Sequence, residues 1–233
     1  MSKHIYLVGG SKGGVGKSMV TMALIDYLEC SGESVVLIET DTSNPDVYKT
    51  YGSETKGQLV NLEEADGWIK LINVCGDADN KDSVIVINTR AANNQGVQKY
   101  GETLNDTLEE LGRKLVALWV INRQRDSLEL LKDFQEAMPN AMVHVIRNGY
   151  FGDESKYQLY NGSKIRTSVE KSGGKSLSFP DMADLLADDI YTKRLTIAKA
   201  SADLPIGNRA ELKRWKALVS VMFDEVVNDN QTK

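Results

Sequence analysis

One stretch of eight residues combines the residue types that hold phosphate groups in proteins. It consists of Ser11, Lys12, Gly13, Gly14, Val15, Gly16, Lys17 and Ser18. In a glycine-rich loop the backbone N–H groups can lie close to phosphate oxygens, because no side chain blocks their approach. The Lys17 ammonium would reach the β- and γ-phosphates, and the Ser18 hydroxyl would ligate Mg²⁺. The stretch therefore predicts a site for a nucleotide and Mg²⁺.

The segments on either side of this loop are of the kind needed to position it. An apolar run at 5–8 precedes it and predicts a strand, and apolar residues at helical spacing follow it over about 17–30. Gly32 lies just beyond that helix, as expected of a left-handed helix end. Met19 belongs to the first turn, where the positive end of the helix dipole favours anions. We therefore expect Met19 to belong to the nucleotide-binding set.

Short, fully apolar runs recur along the rest of the chain and predict strands that are buried on both faces. They lie at 35–38, 83–87, 115–121 and 141–146. Between and after these runs, apolar residues at helical spacing predict helices at 63–75, 104–111, 128–138, 195–198 and 209–228. Asp126 or Ser127 is the predicted N-cap of the helix at 128–138. This alternation predicts a doubly wound α/β fold with a mostly parallel sheet and helices on both faces, as one domain over 1–233.

Two stretches fit this pattern poorly. Residues 46–61 show a weak polar pattern that predicts a mobile segment, and residues 152–176 predict a long surface loop with one short strand at most. Ser178 to Asp181 would then start a helix, because proline is favoured in a first helical turn.

The loop also resembles a known family of ATPases. Its first position is Ser11 rather than the glycine of the strict phosphate-loop pattern, and Lys12 is an additional lysine. This form, K-G-G-x-G-K-S, resembles the deviant loop of the ParA/MinD family, which includes plasmid partition and mobilisation proteins. The resemblance implies ATP or ADP with Mg²⁺ as ligands and an ATP-bound homodimer. It also implies that Lys12 of each subunit reaches the nucleotide of the other, so that Lys12 and Lys17 both act in catalysis.

The resemblance assigns two further positions at strand ends. Asp41 matches the second acid of the family's D-x-D, which orients the attacking water or holds Mg²⁺ through water; the first acid here is Glu39. Asn88 stands where the family has the acid that holds the water shell of Mg²⁺, and Arg90 replaces a proline. A neutral amide is a weaker partner for Mg²⁺ than a carboxylate. We therefore expect slow or partner-stimulated ATP hydrolysis.

The base-binding residues are assigned by order along the chain. Asn148 follows the strand at 141–146, where family members have an asparagine that reads the adenine edge as donor and acceptor. The alternative is an asparagine that shapes the turn after a strand. Pro205 lies where related ATPases have a proline loop over the base. In the loop at 122–127, Arg123 and Arg125 either contact a partner or phosphate or are simply solvated.

Charge and cysteine content restrict the class of partner. The net charge of −5 argues against a protein whose entire surface binds nucleic acid. A local basic cluster is either a DNA-facing patch or a solvated helix face. The cluster consists of Lys193, Arg194, Lys199, Arg209, Lys213, Arg214 and Lys216. Two isolated cysteines, no apolar run of 18 residues and an acidic end to the last helix predict a cytoplasmic protein that does not bind membranes.

These observations support two functional hypotheses. The first is an ATPase switch in plasmid or chromosome partition or in plasmid transfer, in which ATP-driven dimerisation controls binding to DNA or to an adaptor protein. The second is a nucleotide-gated module that recruits a protein with little hydrolysis, which the Asn88 position and the acidic charge favour. A ligase or metal-insertion ATPase is a third class, but His4 and His144 are the only histidines and no Cys/His cluster supports it.

Overall fold

The computed structural model describes residues 3–10, 13–91 and 94–227, and it contains a seven-stranded sheet in which every strand pair is parallel. The strand order is β3-β2-β4-β1-β5-β6-β7. The strands are β1 (Lys3–Gly10), β2 (Ser34–Glu39), β3 (Lys56–Leu59), β4 (Ser83–Asn88), β5 (Arg113–Ile121), β6 (Met142–Asn148) and β7 (Ser176–Phe179).

Successive side chains of the central strands point to opposite faces, and both faces are covered. In β1, Tyr6 and Val8 belong to one buried cluster, whereas Ile5 and Leu7 belong to the other. All four are at most 1% exposed. This two-sided burial explains why the central strands are continuous apolar runs rather than alternating ones.

The described residues contain ten α-helices, and these divide between the two faces of the sheet. The first cluster receives side chains from α1 (Lys17–Cys30), α2 (Asp46–Tyr51), α8 (Asp184–Lys193), α9 (Ile197–Asp203) and α10 (Ile206–Val227). The second receives them from α3 (Ala65–Gly76), α4 (Asn94–Thr107), α5 (Asp126–Ala137), α6 (Gln158–Asn161) and α7 (Lys164–Lys171). The predicted doubly wound architecture is confirmed, with a sheet that is entirely parallel.

The structure corrects the sequence prediction in the two polar stretches. Residues 46–61 contain α2 and the edge strand β3, and residues 152–176 contain α6 and α7 rather than one long loop. These elements are short and present few apolar side chains, so their periodicity is weak. Individual buried aromatic residues such as Tyr51 and Tyr157 hold these segments in place. The Tyr157 hydroxyl donates to the Asn148 carbonyl at 2.6 Å.

Two helix starts also differ from the prediction. Ser178 and Phe179 end strand β7, so the helix start predicted at 178–181 is wrong, and the helix, α8, begins at Asp184. Helix α5 begins at Asp126, with Arg125 as its N-cap residue. The Ser127 hydroxyl instead donates to Asn122 Oδ1 at 2.8 Å, so neither predicted N-cap residue occupies that position.

The carboxyl ends of the central strands bring the predicted site residues to one edge of the sheet. Asn88 at the end of β4 is in register with Val8 of β1 on one side and Glu39 of β2 on the other. On the other side of β1, β5 separates it from β6, and Asn148 at the end of β6 pairs with Phe179 of β7. Parallel sheets of this kind bind ligands off this edge.

Candidate functional site

A cavity of about 500 Å³ lies at the carboxyl edge of the sheet. Most of the predicted site residues that the structure describes line it together, although they come from four separate parts of the chain. These residues are Gly13, Gly14, Gly16, Lys17, Ser18, Met19, Asp41, Asn88 and Asn148. Ser11 and Lys12 lie outside the described residues.

The glycine loop adopts a backbone that other residues would strain. Gly14 and Gly16 have φ angles of 78° and 102°, in the left-handed region that favours glycine. A Cβ on Gly16 would also overlap Asn148 Nδ2, whereas a Cβ on Gly13 would meet no atom within 4 Å. Gly16 is therefore required both by its dihedral angle and by the close approach of Asn148.

Gly16 is also the N-cap residue of α1, and no side chain of the described residues makes a capping hydrogen bond there. The first N–H groups of a helix have no partner within the helix, so the start of α1 can donate them to an anion in the cavity. The buried side chain of Val15 packs in the core, and its carbonyl, rather than its side chain, belongs to the site.

The Lys17 side chain is buried at the floor of the cavity, with 7% of the residue exposed. Burial lowers its pKa to about 8, and the negative charges of Asp41 and Glu39 oppose that shift. A buried ammonium gains from an anion that enters the cavity, because the surrounding low dielectric strengthens their attraction. The position of Lys17 fits contact with phosphate.

Asp41 is held in a turn after β2. Its Oδ1 accepts the N–H groups of Ser43 at 3.2 Å and of Asn44 at 2.9 Å, and its own N–H donates to Glu39 Oε1 at 3.0 Å. This arrangement fixes a half-exposed carboxylate at the edge of the cavity. The position is compatible with holding Mg²⁺ through water or orienting a water molecule.

Asn88 is the centre of a buried hydrogen-bond network. Its Nδ2 lies 3.0 Å from both carboxylate oxygens of Glu39, and its Oδ1 accepts the Thr21 hydroxyl at 2.9 Å. Burial raises the pKa of Glu39 to about 7, and the hydrogen bonds from Asp41 and Asn88 oppose that shift. Sequence reasoning noted Glu39 only as a departure from a pattern and missed Thr21, which no motif marks.

Asn148 connects the end of β6 to the glycine loop. Its Nδ2 donates to the Val15 carbonyl at 2.8 Å, and its Oδ1 accepts the Tyr150 N–H at 3.1 Å. The side chain thus both shapes the turn after its strand and braces the loop. An amide has a second N–H and a second lone pair, so the predicted contact with adenine stays a prediction.

The other end of the cavity is formed by residues that the sequence did not indicate. The last residue of β7, Phe179, and the chain after it, Pro180 to Met182, line the cavity there together with Tyr150 and Tyr191. Pro205 lies between α9 and α10 and is not among the described residues that line this cavity. The proline beside the cavity is Pro180, which sequence reasoning had placed at a helix start.

Three residues that line the same cavity, Ser18, Asp41 and Asn88, carry oxygen atoms of the kind that Mg²⁺ prefers. The buried carboxyl group of Glu39 accepts hydrogen bonds from the Asn88 amide. This donor set fits Mg²⁺ bound partly through water. Nowhere in the described ranges does a group of three or more His, Cys, Asp or Glu side chains lie together so that it could hold a metal ion.

Much of the positive charge of the basic cluster is neutralised locally. Lys216 pairs with Asp26 at 2.8 Å, and Lys193 and Lys199 pair with Asp189 and Glu54 at 2.6 Å each. Arg214 pairs with Glu211, and in the loop after β5 Arg125 pairs with Glu129 at 2.9 Å. Such pairs reduce the field that a polyanion would meet.

None of the helices in the described ranges combines the length and apolar character that crossing a bilayer requires. The two cysteines are free thiols, with Cys30 exposed and Cys75 buried.

Comparison with known proteins places this site in a family. Residues 6–148 match the family model described as the CobQ/CobB/MinD/ParA nucleotide binding domain. The chain is 64% identical over 230 residues to Protein MobD of Acidithiobacillus ferrooxidans, covering 98% of this chain and 100% of that protein.

Two solved structures show the same fold. One is the septum site-determining protein MinD complexed with Mg-ADP from Pyrococcus horikoshii, at 14% identity and a TM-score of 0.58, covering 97% of this chain and 96% of that one. The other is the MinC:MinD cell division protein complex of Aquifex aeolicus, at 15% identity and a TM-score of 0.54, covering 92% and 96%. The glycine loop, the strand-end residues and the family match agree, and the chain belongs to the CobQ/CobB/MinD/ParA nucleotide-binding family.

Proposed function

We propose that the protein is an ATP-binding, slowly hydrolysing dimeric switch of the ParA type, acting in the cytoplasm in plasmid transfer or partition. The observation that carries the proposal is the cavity in which Lys17, Ser18, Asp41 and Asn88 meet. The 64% identity to MobD supports a role in mobilisation, and the structural likeness to a MinD solved with Mg-ADP supports that ligand pair.

Each described residue of the phosphate end has a role that follows from its position. The loop and the start of α1 donate N–H groups to phosphate oxygens, and Lys17 adds a positive charge from the cavity floor. Mg²⁺, when bound through Ser18 and water, neutralises charge on the phosphates. Asp41, fixed by its turn, orients the water that attacks the γ-phosphate.

Slow turnover follows from Asn88. A neutral amide attracts Mg²⁺ and its water shell less strongly than a carboxylate would. Catalysis of phosphoryl transfer depends mostly on positioning and on electrostatic stabilisation. A weaker field at the metal should therefore lower the rate of hydrolysis more than the affinity for the nucleotide.

ATP hydrolysis by wild type, Asp41→Ala and the control Asp66→Ala tests this role. Asp66 lies exposed in the first turn of α3, away from the cavity. We expect slow phosphate release from wild type and Asp66→Ala, and none above background from Asp41→Ala, with ADP affinity retained in all three. A rate in Asp41→Ala equal to that of wild type would contradict the role of Asp41.

Assembly is the second part of the proposal. By the family resemblance, ATP bridges two subunits and Lys12 of each contacts the partner's nucleotide. Light scattering with ADP, ATP and a slowly hydrolysed ATP analogue measures this directly. We expect the mass of two chains only with ATP or the analogue, and the mass of one chain for Lys12→Ala under every condition. A wild-type mass that is the same with every nucleotide would contradict ATP-driven assembly. A Lys12→Ala variant that dimerises as well as wild type would contradict the role of Lys12.

The dimer would then bind an adaptor protein, or nonspecific DNA through the basic cluster. Binding of a DNA duplex in ATP, measured at rising salt, separates the two. DNA affinity that appears only with ATP and falls steeply with salt favours DNA, because phosphate contacts release counterions. ATP-dependent dimers without such affinity favour a protein adaptor.

A nucleotide-gated recruitment module with little or no hydrolysis is the second candidate. The observation that favours it is the engagement of both ends of the Asn88 amide, by Glu39 and by Thr21, in the described structure. ATP-dependent dimers that release no phosphate over many hours would favour this candidate over the switch.

A further inference from the structure

Glu39 is an acidic residue with none of its surface exposed, at the end of a central strand. Burying a carboxylate is costly unless hydrogen bonds compensate it. Both of its oxygens lie 3.0 Å from Asn88 Nδ2, and Oε1 also accepts the Asp41 N–H at 3.0 Å. The buried charge is thus connected to both strand-end residues that face the cavity.

The contact with Glu39 determines the orientation of the Asn88 amide. When Glu39 is ionised its carboxylate only accepts hydrogen bonds, so the Nδ2 group faces Glu39 and Oδ1 points the other way. There Oδ1 meets the hydroxyl of Thr21, which is fully buried on α1 three residues after Ser18. Residues three apart share a helix face, so the amide oxygen is directed at the face of α1 that carries Ser18.

The strand register makes this connection short. Glu39 and Asn88 are directly paired on β2 and β4. By the family resemblance, Glu39 stands at the first acid of the D-x-D on β2, so it is the acid that remains beside the β4 position where Asn88 replaces a carboxylate. The charge of Glu39 also acts on Lys17. Together with the charge of Asp41, it opposes the lowering of the Lys17 pKa by burial.

We propose that Glu39 is a positioning residue for Mg²⁺ in the nucleotide site, holding a carboxylate on β2 behind Asn88 and orienting the Asn88 oxygen toward the Ser18 side of the cavity. The inference rests on the proposed function, since it needs a Mg²⁺–nucleotide complex in this cavity. A purely structural Glu39, which only stabilises the turn at Asp41, is the competing explanation.

Binding of a fluorescent N-methylanthraniloyl-ADP, titrated with Mg²⁺ and separately in EDTA, distinguishes the two. For Glu39→Gln we expect the Mg²⁺ concentration that half-saturates the complex to rise about 10- to 100-fold, as for residues that hold a metal ligand. Its affinity for the ADP analogue in EDTA should stay at the wild-type value. Glu29→Gln is the control, because Glu29 is an exposed acid on α1 whose Oε1 accepts the Thr55 hydroxyl instead.

A double variant tests the location of the charge. Glu39→Gln with Asn88→Asp returns the carboxylate to β4 and leaves an amide on β2 to bond it, so we expect the Mg²⁺ requirement to return close to that of wild type. If Glu39→Gln fails to fold, Thr21→Val acts on the other end of the same amide. It should raise the Mg²⁺ requirement in the same direction by a smaller factor.

Three outcomes would overturn the inference. A Glu39→Gln variant with a lowered melting temperature and a wild-type Mg²⁺ requirement would make the role structural. A double variant that needs as much Mg²⁺ as Glu39→Gln would show that the carboxylate does not act through its charge. A Thr21→Val variant with the wild-type Mg²⁺ requirement would show that the orientation of the Asn88 amide does not matter. Failure of wild type to bind the ADP analogue with or without Mg²⁺ would instead refute the proposed function, and this inference with it.

Discussion

The two ends of the cavity are built differently. The phosphate end is made of backbone and buried polar groups at the sheet centre, where Lys17, Glu39 and Asn88 are all less than 10% exposed. The opposite end is made of side chains from β7 and α8 and their neighbours, and Tyr150 and Tyr191 there are 66% and 46% exposed. Binding phosphate requires fixed charges and N–H groups, whereas holding a base requires only a shaped apolar slot. The first requirement leaves a dense motif in the sequence, and the second does not.

Asn148 connects the two ends through its hydrogen bond to the Val15 carbonyl. We therefore expect substitutions of Gly16 in the loop, of Asn148 at this connection and of Tyr150 at the outer end of the cavity to have successively smaller effects.

The largest effect is expected at Gly16. Gly16→Ala adds a Cβ at a left-handed φ and displaces Asn148, so we expect the free energy of unfolding to fall by about 2 to 4 kcal/mol. Chemical denaturation without nucleotide measures it. Gly13→Ala is the control in the same loop, because its Cβ meets nothing within 4 Å. Equal losses in the two variants would contradict the described loop geometry.

A smaller effect is expected at the connection. Asn148→Ala leaves the Val15 carbonyl without this donor, which costs about 1 to 2 kcal/mol and corresponds to about tenfold in nucleotide affinity. Isothermal titration with ADP measures the affinity. Asn122→Ala is the matched control, because Asn122 also shapes the turn after a strand but bonds Gln124 and Ser127. Equal affinities in both variants would mean that bracing the loop is unimportant.

The smallest effect is expected at the outer wall. If Tyr150 contacts the base, Tyr150→Ala should weaken ADP binding about 5- to 10-fold. This is the lower part of the range for loss of aromatic stacking, as expected of a side chain that is largely exposed. Binding of inorganic tripolyphosphate should not change, and Tyr100→Ala should change neither. Equal losses for ADP and tripolyphosphate would mean that this end does not hold the base.

The same contrast explains what the sequence could predict. The strand, loop and helix around 5–30 were predictable because the apolar periodicity and the phosphate motif agree there. The edge strand β7 was missed because its alternation of polar and apolar residues covers only four positions, Ser176–Phe179, and Pro180 after it also fits a helix start. Pro205 was assigned by order along the chain, and order cannot show which of two prolines approaches the cavity.

The buried network could be predicted only in part. The sequence shows Glu39 and Asn88 at strand ends, but the hydrogen bonds among Glu39, Asn88 and Thr21 depend on strand order and on the face that α1 presents. No local spacing encodes these contacts, which join residues 49 and 67 positions apart in the chain.

The most direct test of nucleotide binding in this cavity is a calorimetric titration of wild type and Lys17→Ala with Mg·ATP. We expect one ATP per chain for wild type and an affinity at least about 100-fold lower for Lys17→Ala, because charge-assisted bonds to phosphate are lost. The melting temperature of the nucleotide-free variant should not fall, since burial already disfavours the Lys17 charge and lowers its pKa to about 8. Equal ATP affinity in the two proteins, or no binding by wild type, would contradict the assignment of this cavity as the ATP site.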